Sequence, residues 1–482
     1  MLATLALVAA SCGSSHRPSA SLGSGVTHDL KPSASSPQDN TATTLGLGGP
    51  AAVTRQPGAT HPAATDQSGG PIGAVVPGQV TKTATSGSVP IGFMVLSDTT
   101  AAFKQVGVKA SSHTAQDTKN LWQVAIDFVN QRGGLAGRKI IPSYYFEDPT
   151  QGTNASRSQA ACTQFTEDQK VFAVVLDAAA DLTMATCLAQ HHTPAIDVAQ
   201  GNYPYDQVDI TGVAPYLVLP SRIDMSRFRI FVDTLVSQGY FQPPGKLALL
   251  RFDVPDQART RDAVIVPSLR AHGLALTDDF AVSAVSNLQE LGTAEGEVNN
   301  AVLRFRSEGV DHVMFLGSDL VLPLIFPVAA ESQGYRPRYA VTTDDAPQAF
   351  MAGNAPAGQL HGTVGIGWEP AYDVVSSDNV MQGNPLWSAC AAQMRSHGQP
   401  ANEARRCTGL LFLELALRNA PSLTMGNLRA GIDQIGDTPY STSTFGTHWG
   451  PGVYDGPSQI RGVKFDDSCG CFRYSTALIG AP

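Results

Sequence analysis

From Val89 onward, short apolar runs alternate with segments in which apolar residues recur every three or four positions. The run VPIGFMVL (89–96) predicts a buried strand, and the segment 114–132, with its apolar residues on one face, predicts a helix. This strand–helix order continues to about residue 199 and predicts a parallel sheet covered on both faces. The other predicted elements with clear bounds in this unit are strands 139–148, 170–178 and 193–199 and helix 153–167.

A second unit with the same alternation begins after residue 222, so the chain is predicted to be α/β, with two such units in series. Beyond residue 384 the pattern becomes mainly helical, and the chain is expected to end in a loop-rich segment. The strands predicted in this half are 245–253, 274–282, 310–318, 338–346 and 361–368, and the helices are 224–238, 256–271, 295–308, one ending at Gly334, 384–397, 402–419 and 424–435.

The first residues, MLATLALVAASC, form an apolar run that ends in small residues and a cysteine. The run is too short to cross a bilayer and fits the apolar part of an export signal peptide. It resembles the signal of a bacterial lipoprotein, in which Cys12 would become the lipidated first residue. No Lys or Arg precedes the run, and Ala9 stands where that pattern usually has Leu. An ordinary secretory signal and a chance apolar start remain the alternatives.

Residues 13–87 are rich in Ser, Thr, Gly, Pro and Ala and show no apolar periodicity. Such a segment cannot bury enough apolar surface to offset the entropy of ordering, so we expect it to be disordered. A tether between a lipid anchor and the folded body is the function that this composition favours, and a merely tolerated tail is the alternative.

Six cysteines remain after Cys12, and an even number in an exported chain indicates disulfides. Their connectivity is open from the sequence, although zinc binding is disfavoured because the chain has no C-x-x-C pair. We predict the pairs Cys162–Cys187, Cys390–Cys407 and Cys469–Cys471.

The composition and the motifs argue against several classes of function. Hydrophobic residues make up 43% of the 482 residues, and the net charge is −9 with no Lys/Arg-rich run, so no nucleic-acid partner is expected. The chain lacks a G-x-x-x-x-G-K loop, a G-x-S-x-G elbow and an H-E-x-x-H pair. No catalytic residue, cofactor or metal is therefore predicted. The Asp278–Asp279 pair is interpreted as solvated loop charge.

The glycine-rich stretch NQRGGLAGRKI (130–140) is a possible phosphate loop, but its position contradicts that interpretation. A phosphate loop follows a strand and opens a helix, whereas this stretch closes a helix and opens a strand. The negative end of the helix dipole would repel phosphate and favour Arg132. We predict a helix stop, with Gly133 or Gly134 as the left-handed cap and Gly137 in the turn.

Several stretches together resemble the type I periplasmic binding proteins. They are IGFMVLSD, LWQVAIDFVNQRGGLAGRKI, YYFEDPTQGTNA and EDQKVFAVV in the first unit, and LALLRFD, LRAHGLAL, FRSEGVDHVMFLGS and ESQGYRPRYAVTTDD in the second. The pattern is most similar to the branched-chain amino-acid group of ABC-transporter solute receptors. The residues that match its helix-end motif are Asn130, Gly133, Gly134, Leu135, Gly137 and Arg138.

The resemblance implies two Rossmann-like lobes, each with a parallel central sheet, joined by a hinge that the chain crosses more than once. The N-terminal lobe would comprise 88–221 and 370–449, and the C-terminal lobe 222–369 and 450–482. The ligand would bind in the cleft between the lobes.

Candidate ligand residues follow the strand ends, because ligands of parallel α/β sheets bind outside those ends. Each of them could instead be a helix cap or a turn residue. In related amino-acid receptors an acidic residue of the second lobe holds the ammonium group, a role that Asp344 or Asp345 could fill. The candidates are Ser97, Phe103, Ala179, Asp181, Gln200 and Asn202 in the first lobe and Asp253, Ser318, Asp319, Asp344 and Asp345 in the second.

The loop DAAAD (177–181) lacks the hydroxyl groups that would hold an amino-acid carboxylate, and the cleft rim is rich in Asp. A cationic or polyhydroxylated ligand is therefore favoured over a simple amino acid.

The function that the resemblance implies is capture of a small polar ligand, such as an amino acid, an amide or a polyamine, for an ABC importer. The receptor would be a monomer, lipid-anchored on the outer face of the cytoplasmic membrane, with an ABC permease as partner and no catalytic activity. A sensing or protein-interaction module with a degenerate cleft is the alternative, and an enzyme on the same scaffold is a third hypothesis.

Overall fold

The computed structural model leaves the predicted signal peptide, Cys12 and residues 13–86 outside the described residues. Within the part of the chain that is described, no helix is both long enough and apolar enough to cross a membrane. The described residues are 87–98, 109, 113–178, 180–199, 205–317, 320–356 and 358–481.

The first lobe is built on a five-stranded parallel sheet with the strand order β2-β1-β3-β4-β5. Ile91, Phe93 and Val95 on the central strand β1 are completely buried, as expected where helices cover both faces of a parallel sheet. The strands are β1 (Ser88–Leu96), β2 (Lys139–Glu147), β3 (Ala173–Asp177), β4 (Ala195–Asp197) and β5 (Leu217–Val218), and the helices are α1 (Ala115–Gln131), α2 (Asn154–Thr163), α3 (Leu182–Gln190) and α4 (Gln207–Val213).

The second lobe is built on an eight-stranded sheet whose main path runs β14-β13-β10-β9-β8-β6-β7, with β15 paired to β13. The strands β6 to β10 pair in parallel, and β13 joins the edge of β10 in the antiparallel direction. These strands are β6 (Leu247–Phe252), β7 (Leu276–Val282), β8 (His312–Leu316), β9 (Arg338–Val341), β10 (Val364–Gly367), β13 (Gln459–Asp466), β14 (Cys471–Tyr474) and β15 (Ile479–Gly480).

Helices cover this second sheet, and one of them is irregular. The helix predicted at 256–271 is interrupted by a π-helical turn, Arg261–Ile265, directly before the segment that contains Pro267. Proline cannot donate the regular backbone hydrogen bond, so the irregular turn lies where a bend was expected. The helices of this lobe are α5 (Arg229–Ser237), α6 (Pro255–Thr260), α7 (Val266–Ala271), α8 (Leu291–Glu308), α9 (Val321–Ser332) and α10 (Ala352–Asn354).

Two expectations for the second lobe were wrong. The predicted loop-rich ending contains β13, β14 and β15, whose partner β10 lies far away in the sequence. The pair Asp278–Asp279 is not solvated loop charge but part of β7. Asp278 is buried and contacts Arg304 at 2.5 Å, and Asp279 accepts a hydrogen bond of 2.9 Å from Arg251, so both charges are paired.

After β10 the chain returns to the first lobe, where its helices complete the core around β1 and α1. Arg132, just after α1, reaches Glu414 at 3.0 Å and the hydroxyl of Tyr440 at 2.9 Å. The guanidinium therefore joins α1 to a helix that follows it by almost 300 positions. The elements of this returning segment are α11 (Pro370–Asp373), α12 (Pro385–Ser396), α13 (Cys407–Leu417), α14 (Met425–Ile432), β11 (Gly436–Thr438) and β12 (Thr447–Trp449).

The chain thus passes between the lobes three times, and direct contacts hold the passing segments together. The N–H of Leu219 donates to the carbonyl of Tyr454 at 2.7 Å, and the N–H of Gly456 donates back to Leu219 at 2.8 Å. The indole of Trp368 donates to the carbonyl of Ser221 at 3.0 Å. These segments lie close to the predicted lobe boundaries, which themselves stay a prediction.

The six described cysteines form three disulfides, with the pairing that was predicted. Cys162–Cys187 joins α2 to α3, and Cys390–Cys407 joins α12 to the start of α13. Cys469–Cys471 closes the tight turn between β13 and β14.

The stretch NQRGGLAGRKI ends α1 and turns the chain into β2, as predicted. The side chain of Asn130 donates to the carbonyl of Ile140 at 3.2 Å and accepts from its N–H at 2.7 Å, which ties the helix end to the strand. Gly134 has φ +68°, and an added Cβ would lie 2.0 Å from the carbonyl oxygen of Arg138. Both the backbone conformation and the close approach therefore require glycine.

Replacing Gly134 by Ala should destabilise the protein more than replacing Gly273 by Ala. Gly273 has a similar φ of +71° but open space around it, so its substitution costs only the left-handed strain, about 1 kcal/mol. Gly134→Ala adds a backbone clash and should cost at least 1 kcal/mol more. Urea unfolding of both variants measures the difference, and equal losses would contradict this account.

Candidate functional site

The candidate site is the cleft where the carboxyl ends of the two sheets face each other. Asp177 and Asp197 end strands β3 and β4 of the first lobe, and Thr342–Asp345 follow β9 of the second. Because ligands of parallel α/β sheets bind outside these ends, side chains from both lobes can converge on one solute here.

The predicted ligand residues have different environments in the structure. Ser97 follows β1, is partly exposed, and donates its N–H to the carbonyl of Glu147 at 2.8 Å. Asp253 follows β6 and is exposed. The candidates Phe103, Ala179, Gln200, Asn202, Ser318 and Asp319 lie outside the described residues.

Two of the predicted acids have capping roles. Asp181 accepts hydrogen bonds from the N–H of Met184 at 3.2 Å and from the hydroxyl of Ser158 at 3.0 Å, so it caps α3. Asp345 accepts from the N–H of Thr342 at 2.6 Å, which closes the turn after β9. Helix-cap and turn roles of this kind were the alternative that the sequence left open.

Asp344 has a different environment from the adjacent Asp345. Its side chain is 1% exposed, and neither carboxylate oxygen has a hydrogen-bond partner among the described residues. Burial raises the pKa of this carboxyl to about 6, although the Arg222 guanidinium acts to lower it, and Asp197 adds to the increase. A buried carboxylate without donors is costly, so the site favours a partner that supplies them.

The charge that faces Asp344 comes from the segment that joins β5 to α5. Arg222 lies 3.2 Å from Asp197, and both side chains are buried. The ring of Tyr205 lies 5.7 Å from the guanidinium carbon of Arg222. One arginine in a connecting segment therefore interacts with acids from both lobes.

A second polar network fixes the turn that carries Asp344. The hydroxyl of Thr343 donates to Asp373 at 2.7 Å and accepts from the N–H of Trp368 at 2.9 Å. The hydroxyl of Tyr474 donates to the other oxygen of Asp373 at 3.1 Å. Burial raises the pKa of Asp373 well above its usual range despite these bonds. The network links the turn after β9 to α11.

A cluster of charges at the end of β3 was not expected from the sequence. Arg406 forms ion pairs with Asp177 and with Glu403, the latter at 2.8 Å, and Trp122 donates its indole N–H to Asp177 at 3.1 Å. The adjacent Arg405 approaches Asp177 and Glu403 only to 3.5 Å. The sequence did not indicate this cluster, because Asp177 lies more than 200 positions before the two arginines.

Contacts between the lobes close two sides of the cleft. On one side, the guanidinium of Arg157 donates to the carbonyl of Ser286 at 3.1 Å, and Gln289 donates to the carbonyl of Thr150 at 3.0 Å. On the other side, Arg259 of α6 pairs with Asp206 at 2.5 Å and with Asp209 at 2.7 Å. The lobes are therefore in a closed arrangement.

Comparisons with solved structures show which proteins share this fold. No family model and no curated protein matches the sequence. A substrate-binding protein of an ABC transporter from Aeropyrum pernix matches with TM-score 0.60 and 14% identity, over 82% of this chain and 96% of that one.

Two further structures agree. The solute-binding protein of an ABC transporter from Rhodopseudomonas palustris BisB5, in complex with 3,4-dihydroxybenzoic acid, matches with TM-score 0.58 and 14% identity, over 82% of this chain and 98% of that one. The branched-chain amino-acid transporter substrate-binding protein of Streptococcus pneumoniae, in complex with isoleucine, matches with TM-score 0.54 and 15% identity. The match covers 82% of this chain and 99% of that one. The chain thus has the type I periplasmic binding protein fold, as predicted.

Replacing Asp344 by Asn should stabilise the ligand-free protein at neutral pH. The folded protein holds a proton on this carboxyl up to about pH 6, whereas the ordinary value is 3.8. The stability contributed by the protonated group is therefore complete below about pH 4 and is lost as the pH rises through 6. The increase in the free energy of unfolding caused by Asp344→Asn should grow from near zero at pH 4 to roughly 2 to 3 kcal/mol at pH 7.5.

Thermal unfolding across this pH range measures the effect. Asp467→Asn is the matched control, because that side chain also belongs to the second lobe but is 58% exposed. A gain that does not depend on pH, or a loss at pH 7.5, would contradict the proposed environment of Asp344.

Replacing Arg259 by Gln should shift the protein towards an open arrangement, because it removes two ion pairs between the lobes. Arg259 is 38% exposed, so solvent screening limits the effect to about 1 kcal/mol, or about a fivefold larger open fraction. Small-angle X-ray scattering should show a larger radius of gyration. Arg229→Gln, which affects an exposed pair within α5, should leave it unchanged. Equal radii for the two variants would exclude this role of Arg259.

Proposed function

We propose that this protein is an extracytoplasmic receptor that captures a small polar solute between its lobes and delivers it to an ABC importer. What supports the proposal most directly is Asp344, a buried carboxylate at a strand end in the cleft, with both oxygens unpartnered among the described residues. A solute that carries an ammonium group or another strong donor would satisfy it. The shared fold supports a binding role rather than a catalytic one.

The proposed mechanism is capture by closure of the lobes. A solute that contacts groups of both lobes has higher affinity for the closed arrangement, and this difference in affinity drives closure. The contacts of Arg259 and Arg157 at the sides of the cleft lower the cost of closing. The ligand class that we propose is an amino acid, an amide, a polyamine or a similar compound.

The proposed cellular setting follows from the N-terminal sequence. Cys12 would carry the lipid anchor, and residues 13–87 would tether the folded body to the outer face of the cytoplasmic membrane. The folded body would consist of the two lobes with the bounds predicted from the sequence. The receptor would act as a monomer, and its macromolecular partner would be an ABC permease.

A second candidate function is a sensing or protein-interaction module that no longer takes up a solute. The observation that favours it is the closed arrangement itself, which the chain's own side chains hold together across the cleft. Such a module would show no response to any small solute.

Binding to a defined panel of solutes should distinguish the two candidates. The panel comprises leucine, isoleucine, 4-hydroxybenzoate, 3,4-dihydroxybenzoate, glutamine, spermidine and glucose, and it includes ligand types of the similar structures. We expect at least one member to raise the unfolding temperature and to give saturable heat in calorimetry, with no turnover. If no member of the panel binds, the sensing or protein-interaction module is favoured. Turnover of any member would indicate an enzyme.

For a cationic solute, affinity should rise with pH. Because binding of a cation requires ionised Asp344, whose pKa is about 6, the affinity should increase about tenfold from pH 5 to pH 7 and then level off. Asp344→Asn should weaken binding and remove this dependence, and Asp467→Asn should preserve both. Unchanged affinity in Asp344→Asn would exclude a direct contact.

A further inference from the structure

The three disulfides of the described residues differ in how much chain they enclose. The two that join helices have sequence separations of 25 and 17, whereas only Gly470 separates Cys469 from Cys471. The two longer crosslinks therefore restrict long loops of the unfolded chain, and the short one restricts very little. Folding protects a disulfide from reduction by the same factor by which the disulfide stabilises the fold, so this short crosslink gains little protection.

The turn that contains the short disulfide is held closed by other bonds. Asp466, the last residue of β13, pairs in the antiparallel register with Cys471, the first residue of β14. The carbonyl of Asp466 accepts from the N–H of Gly470 at 2.9 Å, and its carboxylate accepts from the hydroxyl of Ser468 at 2.6 Å. None of these bonds involves sulfur, so the hairpin can persist when the disulfide is broken.

The short disulfide is also the accessible one. Residues 467–470 are all exposed, so Cys469 lies at the tip of the hairpin, and the space around Gly470 is open. Cys471 is buried, at 6% exposure, and the two disulfides that join helices have both of their cysteines buried. The sulfur of Cys469 is therefore the one that a thiolate from solution reaches most easily.

We propose that Cys469–Cys471 is a thiol–disulfide exchange site whose substrate is a pair of reduced cysteines in a second protein or peptide. Little protection by folding and an exposed sulfur are the properties of disulfides that exchange rather than brace a fold. The hydrogen bonds of the turn let the site pass between its oxidised and reduced states without loss of the hairpin. This chemistry does not depend on the solute cleft.

The exchange consists of two displacements at sulfur. A thiolate of the substrate attacks the sulfur of Cys469, a disulfide between substrate and Cys469 forms, and Cys471 leaves as a thiolate that takes up a proton from water. The second thiolate of the substrate then attacks the substrate's own sulfur in this mixed disulfide, and Cys469 leaves and is protonated. Two electrons and two protons thus pass from the dithiol to the protein, and a small disulfide such as oxidised glutathione restores the starting state.

The first arm of the test compares the three disulfides within the folded wild-type chain. The protein is incubated with dithiothreitol, alkylated at intervals and digested, and mass spectrometry follows each cysteine pair. We expect Cys469–Cys471 to be reduced at least about tenfold faster than the two buried pairs, which serve as internal controls. Equal rates for the three pairs would overturn the proposal.

The second arm identifies the sulfur that is attacked. Glutathione has a single thiol, so its mixed disulfide with the protein cannot be resolved by a second thiol of the same molecule. After alkylation of the wild type, we expect glutathione on Cys469 and the alkyl group on Cys471. Glutathione on Cys471, or on neither residue, would contradict the assigned direction of attack and overturn the proposal.

The third arm measures exchange with a substrate. A peptide with two reduced cysteines is oxidised in a glutathione buffer, and all proteins carry Cys12→Ser so that no thiol outside the disulfides contributes. The protein with the intact pair should accelerate the oxidation at least about fivefold relative to Cys469→Ser/Cys471→Ser.

Thermal unfolding serves as the control for folding of this double variant. Its unfolding temperature should stay close to that of the intact protein, because the missing crosslink encloses little chain. Equal rates of peptide oxidation in the presence of the two proteins overturn the proposal. Should the double variant not fold, the position of the glutathione adduct on the wild type decides the question.

Discussion

The buried ion pair between Arg222 and Asp197 is the interaction on which the arrangement of the lobes depends. A buried guanidinium is tolerated only when it is paired, and Asp197 supplies that partner from the end of β4. Arg222 lies in the segment that leaves the first lobe, next to Ser221, whose carbonyl accepts from the indole of Trp368. The position of the first connecting segment is thereby fixed relative to the second, and the strand ends of both sheets face one another.

The ion pair between Arg222 and Asp197 also explains why the carboxylate of Asp344 is buried without a hydrogen-bond partner among the described residues. Arg222 is already paired with Asp197, so it lowers the pKa of Asp344 without filling its hydrogen-bonding capacity, and burial raises the pKa more strongly. The turn that carries Asp344 is held by Thr343 and Asp373, so the carboxylate cannot relax easily towards water. Perturbed pKa values of this kind cluster at functional sites, which is why Asp344 is the candidate ligand group.

Strong local signals predicted most of the fold, and distant contacts account for what was missed. Apolar runs such as VPIGFMVL and one-sided helices such as α1 carry their pattern within one segment, so their bounds agree with the structure to within one or two residues. By contrast, β13 depends on pairing with β10, about 100 positions earlier. In the site, strand ends pointed to Asp344 and Asp345, but only tertiary contacts distinguish the turn cap from the unpartnered carboxylate. Arg405 was missed because Asp177 precedes it by more than 200 positions.

The charged groups at the two edges of the cleft belong to different lobes, and this has a consequence for selectivity. Asp344 lies in the second lobe, and the charge cluster around Asp177 lies in the first. In the receptor that we propose, the open form presents each of them singly, and many solutes can satisfy one charged group in contact with water. Only the closed arrangement offers both at a fixed separation, so a solute of the wrong length or charge binds the open form without stabilising the closed one. Selectivity is then a property of closure, and a permease that recognises the closed form would receive only the matching solute.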